Sequence, residues 1–254
     1  NQLTKKKIIF NFRKNDILNG GEGAPLTPIF HQLIATKSNI LLPVCFLNIG
    51  GIANITIVEK PIGSLDFFSK DIGPGNCLID NWVRKNSNKK FDNDGKLAIS
   101  GKKNEIILEQ AQELYSNRIN KKKISFDTND FDISFVRGLS LEDGTTTLTD
   151  FTASIISEEI SSSLTKYDNK LKNILICGGG RKNKVLIKKI KNNIPLNINF
   201  KLIDEYQING DFIESQAFAY LAIRSVLKKE ITYPNTTNVQ KPSTGGVLVK
   251  NYSD

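Results

Sequence analysis

Methionine is absent from the 254 residues, and there are only one histidine, one tryptophan and three cysteines. Each shortage excludes something. A chain that starts at Asn1 and holds no Met does not start at a translational start, so an upstream segment is expected to be missing. One histidine and three well-separated cysteines (Cys45, Cys77, Cys177) offer no C-x-x-C pair and no zinc set. Their odd number argues against a disulfide framework and fits a reducing compartment, the cytoplasm. Long apolar runs are missing too. The longest, Ile40–Ile49, holds Pro43 and is about half the length of a membrane span, so no membrane partner is expected.

What is present is an ordinary globular composition, 39% hydrophobic and 24% charged, with enough chain for one large domain or two small ones. Thirty-five Lys and Arg against 26 Asp and Glu give a net charge of +9. The lysines come in short scattered groups (Lys5–Lys7, Lys121–Lys123, Lys188–Lys191) with no Arg/aromatic stripe. They read as solvated faces, and no nucleic-acid partner is expected.

Turn residues and periodicity set the organisation. Leu41–Ile49, Ile52–Val58 and Leu65–Ile72 read as three strands, punctuated by Gly50-Gly51 and by Pro61-Ile62-Gly63, which predicts an antiparallel meander. Gly75–Val83 reads as a helix. Residues 84–140 are polar and broken, an insertion whose best helix is Glu105–Arg118. Leu148, Phe151, Ile155, Ile160 and Leu164 carry a helical spacing. Asn173–Cys177 is a short buried strand, Arg181–Ile190 a basic helix and Ile198–Ile203 another strand. Asp211–Lys228 is a helix that the spacing Asp211-x-x-Glu214 would cap. The order is βββαβαβα, the α/β, ribonuclease-H-like unit of the actin, hexokinase and Hsp70 class. Such proteins have two such lobes; the expectation is a remnant of the first lobe in 1–40, a second lobe in 41–212, and a returning helix and tail in 213–254.

Five segments could carry chemistry. Asn48-Ile49-Gly50-Gly51-Ile52-Ala53-Asn54 is a hairpin turn whose glycines let backbone amides approach a phosphate, or simply a turn. Asp71-Ile72-Gly73-Pro74-Gly75-Asn76 puts a carboxylate before a rigid turn and a helix. That Asp is either a proton acceptor at a cleft edge or a helix cap. Gly178-Gly179-Gly180 admits a flat ligand or a phosphate, or connects a strand to a helix. Glu214 is a ligand-binding carboxylate or a helix cap. Arg13 and Asp16 follow the strand Ile8–Phe12 and precede Gly20-Gly21-Glu22-Gly23-Ala24-Pro25-Leu26. His31 reads as a packed, hydrogen-bonded residue rather than a catalyst.

In this order the segments F-R-x-x-D, G-G-E-G-A-P-L-x-P-x-F-H, N-I-G-G-I-A-N-I-T, D-x-G-P-G-N-x-L-I-D, D-G-T-T-T-L-T-D-F-T-A, C-G-G-G-R-x-N and E-S-Q-A-F-A-Y-L-A resemble the anhydro-N-acetylmuramic acid kinase family, from about Ile8 to Gly246. The resemblance implies a two-domain actin-like kinase that opens the 1,6-anhydro ring of a cell-wall sugar and phosphorylates O6 with ATP and Mg²⁺. It implies that Asp71 is the general base. It puts the hairpin residues Asn48, Gly50, Gly51 and Asn54 on phosphate, Gly178, Gly179 and Gly180 on the adenosine side, and Arg13, Asp16, Asn76 and Glu214 by the sugar. Metal ligands are not implied by any matched residue, and a homodimer is left open.

Two departures accompany the match. The family's first phosphate loop, G-x-M-S-G-T-S-x-D-G, is absent, and is expected in about a hundred missing residues. The chain alone is therefore expected to have little activity. Ser125-Phe126-Asp127 stands where many members have Ser-Thr-Gly-Arg, which puts local substrate contacts there in question. The alternative function is a non-catalytic sugar or nucleotide sensor on the same fold.

Overall fold

The structure is a computed structural model that describes residues 7–118, 125–168, 170–195 and 197–249. Lys5, Lys6 and Lys121–Lys123 of the lysine groups lie outside the described residues. The described part begins with strand β1 (Ile9–Phe10), helix α1 (Lys14–Leu18) and helix α2 (Pro28–Lys37). Pro28 opens α2, where a missing N–H has no helical partner to lose.

Three antiparallel strands follow, β2 (Val44–Ile49), β3 (Ile52–Val58) and β4 (Phe67–Pro74). This is the expected meander, with β2 starting after Pro43 and β4 running past Ile72 to Pro74. Helices α3 (Cys77–Asn86), α4 (Lys96–Ser100), α5 (Glu105–Arg118) and α6 (Leu141–Lys166) come next. Ser140 caps α6 by accepting the Asp143 N–H at 3.0 Å. The chain then alternates through β5 (Asn173–Cys177), α7 (Lys184–Asn192), β6 (Asn199–Leu202), α8 (Ile213–Val226) and α9 (Pro234–Thr237). Finally β7 (Val247–Leu248) pairs antiparallel with β1.

The central sheet is mixed, in the order β4-β3-β2-β5-β6, with β2, β5 and β6 parallel. Strand side chains alternate between faces, so each strand feeds two cores. Cys45, Leu47, Ile49, Ile55, Ile57, Ile174 and Ile176 pack toward α6 and α7. Val44, Phe46, Val58, Phe67 and Leu175 pack toward α2 and α8. Burying one such side chain contributes about 1.5–3 kcal/mol, and covering both faces explains the unbroken apolar runs of β2 and β5. The polar segment 84–140 has a core of its own. Leu97, Leu108, Ala111 and Val136 close over Leu78, Trp82 and Phe151.

The cap read for the last long helix is corrected. Helix α8 starts at Ile213 behind Phe212, and its N-cap makes no side-chain bond. Asp211 instead pairs with Arg181 at 2.9 Å and Lys182 at 2.7 Å, since two cations compete better for a carboxylate than a backbone amide does.

Candidate active site

Strand parity builds the site. Phe46, Thr56 and Ser69 face α2, and so do Asn48, Asn54 and Asp71, each two residues away along its strand. Register then places Asn48 opposite Asn54, and Asn54 opposite Asp71, as one row of polar side chains across three strands. Beneath the row, the His31 ring stacks on Phe46 with centroids 4.8 Å apart, and bonds Thr56 Oγ1 at 2.9 Å. Burial drives the His31 pKa down to about 3, so the ring is neutral near pH 7 and serves as packing.

The pairing slips between Ala53 and Asn54. Ala53 faces Gly73 while Asn54 faces Asp71, which leaves Ile72 unopposed. This is a β-bulge, a device that re-aims side chains beside functional sites. It places Ile72 in the α6-side core, while a Cβ on Gly73 would lie 2.7 Å from Ile155, also on α6. Gly73 has φ +149°, a value that suits glycine.

A cavity of about 320 Å³ opens over the row, lined also by Arg13, Thr27, His31, Gly50, Gly51, Ser125, Phe126 and Glu214. Asp71 is buried in its wall at 8% exposure. Burial pushes its carboxyl pKa up to about 6, against the opposing pull of the Phe126 N–H, Ser125 and the Arg13 charge; the Glu22 charge adds to the rise. The Phe126 N–H donates to Asp71 Oδ2 at 2.8 Å. Beside it, Asn54 Oδ1 is buried without a hydrogen-bond partner, an unused acceptor on the cavity wall.

The Gly50-Gly51 turn is held from behind. Gly75 N–H donates to Gly51 O at 2.9 Å and Asn76 N–H to Gly50 O at 2.8 Å. A Cβ on Gly75 would sit 2.3 Å from Gly50 O, so only glycine fits there. With the Gly50 carbonyl turned toward α3, the Gly51 N–H of the same planar trans peptide points away from it. Asn76 also braces this turn, its Nδ2 donating to Gly50 O at 3.1 Å.

The turn Gly178–Gly180 borders a second cavity of about 420 Å³, lined by Asn76, Asp80, Asp92, Asp94, Gly179, Lys182 and Asn183 among others. A Cβ on Gly178 would lie 2.5 Å from Asn48 Oδ1, and one on Gly180 2.3 Å from Ile49, whereas one on Gly179 would meet nothing within 4 Å. Arg181, 7% exposed, anchors the turn to Asp204 at 2.8 Å, to Asp211, and to Gly178 O at 3.1 Å.

The residues expected from the sequence thus divide. Arg13, Asn48, Gly50, Gly51, Asn54, Asp71 and Glu214 meet at the first cavity, and Asn76 and Gly179 at the second. Gly178 and Gly180 lie against the end of β2. Asp16 lines neither cavity. It is buried at 1% exposure, where Oδ2 accepts Gly23 N–H and Oδ1 the Thr237 hydroxyl, each at 2.7 Å. Asp71 is not a helix cap: it lies within β4, five residues before the Asn76 N-cap of α3. Ser125 and Phe126, from the segment where the sequence departs from the family pattern, line the first cavity, though sequence reasoning assigned no role to them or to Glu22. The quoted G-G-E-G block was the only signal for Glu22.

A family model described as anhydro-N-acetylmuramic acid kinase matches residues 1–251, and the chain belongs to that family. A protein named anhydro-N-acetylmuramic acid kinase from Pelagibacter ubique is 57% identical over 98% of this chain and 66% of its own length. Proteins of the same name from Zymomonas mobilis and Caulobacter vibrioides are 37% and 36% identical, over 96% and 98% of this chain and 64% of their own lengths. The chain therefore spans 64–66% of the length of these relatives. Among solved structures, the activator of the 2-hydroxyisocaproyl-CoA dehydratase from Clostridium difficile aligns with 80% of this chain and 68% of its own, at 15% identity and a TM-score of 0.42. A likeness that distant decides nothing.

Proposed function

We propose that the protein carrying this chain is an ATP-dependent kinase that opens the 1,6-anhydro ring of anhydro-N-acetylmuramic acid and yields N-acetylmuramic acid 6-phosphate. One observation carries the reading within the family. A buried carboxyl with its pKa raised to about 6 shares a cavity with the glycine hairpin turn. A base poised near the working pH is what proton abstraction from water requires.

In this reading Asp71 takes a proton from water as the water oxygen bonds to the anomeric carbon. The bond from that carbon to O6 breaks, and O6 attacks the γ-phosphorus of ATP. Positioning and charge stabilisation do most of the work in such a transfer. The Gly50-Gly51 turn takes the phosphates, with Asn48 and Asn54 beside it. Gly178–Gly180 and the second cavity take the adenosine side. Arg13 and Glu214 border the sugar, and the unused Asn54 acceptor suits a ligand hydroxyl or amide. Asp16 and Asn76 act by bracing the loops that carry those contacts.

The described residues hold no group of three His, Cys, Asp or Glu able to hold a metal ion. Mg²⁺ usually takes one or two carboxylates and completes its shell with phosphate oxygens and water, and Asp71, as the base, does not serve as one of them. Mg²⁺ would neutralise charge on the transferred phosphoryl group.

We read the mixed sheet as the second lobe of the actin-like fold; α2 and α8 pack on its face, so the remnant of the first lobe would be the segment before α2, with the tail after α8 returning toward it. We read the enzyme as cytoplasmic; no helix among the described residues is long and apolar enough to cross a membrane. A homodimer is compatible, and no role is given to nucleic acid.

The test is turnover by the protein as encoded in full, with ATP, Mg²⁺ and the anhydro sugar. Release of ADP with formation of the 6-phosphate is expected. Binding of both ligands without turnover would instead establish the sensor.

A further inference from the structure

Glu22 and Asp71 are carboxylates from distant parts of the chain that grip adjacent backbone amides. Ser125 N–H donates to Glu22 Oε2 at 2.7 Å, and Phe126 N–H donates to Asp71 Oδ2 at 2.8 Å. The other Glu22 oxygen, Oε1, accepts from Asn238 Nδ2 at 2.6 Å, and the Glu22 N–H donates to Thr237 O at 2.7 Å. The loop bearing Glu22 is fixed in turn by Asp16, which holds Gly23 N–H and Thr237. A continuous path of hydrogen bonds therefore runs from residues 237–238 through Glu22 and Ser125-Phe126 to Asp71.

We propose that Glu22 is a positioning residue for Asp71. By holding Ser125 it keeps the Phe126 N–H on Oδ2, and with it the Ser125 side chain that also bonds the carboxylate, so that the two donors fix the orientation in which Asp71 receives a proton. A carboxylate so tethered cannot rotate freely, and orientation of the reacting oxygen is a large part of what general-base catalysis requires. The proposal rests on the kinase reading for its consequence in turnover, but not for its structural content.

The chemistry of the two side chains supplies a test. Glu22 offers acceptors to two donors, Ser125 N–H and Asn238 Nδ2. Glu22→Ala removes both acceptors, so Ser125 N–H and Asn238 Nδ2 lose theirs. Glu22→Gln keeps an amide oxygen for Ser125 N–H, and its NH2 can donate to Asn238 Oδ1 once that exposed amide turns over, so the path is kept. In the full-length protein, kcat of Glu22→Ala is expected to fall about tenfold with KM for ATP unchanged. Glu22→Gln is expected to stay within about threefold of wild type. An unchanged kcat in Glu22→Ala, or a Glu22→Gln variant no better than it, would overturn the proposal.

A second readout needs no turnover. The pH dependence of thermal stability, compared with Asp71→Asn in each background, reports the pKa of Asp71. Both variants remove the Glu22 charge, so its through-space effect on Asp71 is common to them and only loss of the tether separates them. The Asp71 pKa in Glu22→Ala should therefore differ from that in Glu22→Gln. A pKa identical in the two would also overturn the proposal. A wild type without turnover but with that difference would refute the kinase reading and leave the tether standing.

Discussion

Asp16 and Asp71 both sit in closed surroundings, at 1% and 8% exposure, yet their corners of the molecule are built differently. Around Asp16 the donors come to the carboxylate: a backbone N–H, a hydroxyl, and Gly21 packed so closely that a Cβ would lie 2.2 Å from Oδ2. Around Asp71 the wall is a cavity, and burial wins over the donors that reach it, raising its pKa to about 6. Burial alone therefore does not set one carboxylate apart from the other. What differs is that Asp71 borders a cavity and Asp16 is closed in by its neighbours.

Four outcomes would sharpen or break that contrast. The largest concerns Asp71. Asp71→Asn should lower turnover of the anhydro sugar by about 10²–10⁴-fold while ATP binding persists, and activity within tenfold of wild type would remove it as the base. Next, Asp16→Ala should cost about 2–4 kcal/mol in denaturant unfolding, because a buried N–H and a hydroxyl lose a charged acceptor. Its kcat, measured where the variant is folded, should change far less than that of Asp71→Asn.

The third outcome has the opposite sign. The Asp71 pKa is raised in the folded state, so the fold binds more protons than the unfolded chain between about pH 3.8 and about 6, and stability falls as pH rises through that window. Asp71→Asn should therefore be more stable than wild type at pH 8, by up to about 3 kcal/mol, with the gain vanishing below pH 4. A variant equally stable at both pH values would mean that Asp71 is not strained by burial. The smallest effect is kinetic: kcat/KM should lose activity on an acidic limb near pH 6, roughly tenfold per unit below it.

Much of this was legible in the sequence, for physical reasons that differ by region. The strands β2 and β5 read as apolar runs because both sheet faces are covered, and a glycine follows the end of each. Asp71, Gly50 and Gly51 were legible because the motifs that hold them are local. Glu22, Ser125 and Phe126 were not, since the bonds that give them meaning span 103 and 55 residues and leave no periodic trace. The cap assigned to Asp211 failed for a related reason: the cations that took it come from the Arg181-Lys182 turn, which local spacing does not reveal.

Ile72 is to the sheet what a dislocation is to a crystal, one extra unit inserted in a row that otherwise keeps strict time. Counted from Phe67, odd positions look toward α2 as far as Asp71; beyond Ile72 the count is out of phase, and Gly73 looks toward α6. Any scan or redesign of β4 must therefore count sides from each end separately. A deletion at Ile72 would restore strict alternation and leave Gly73 and Pro74 on their present sides, so its cost would be the bend of the bulge and one apolar side chain of the α6-side core.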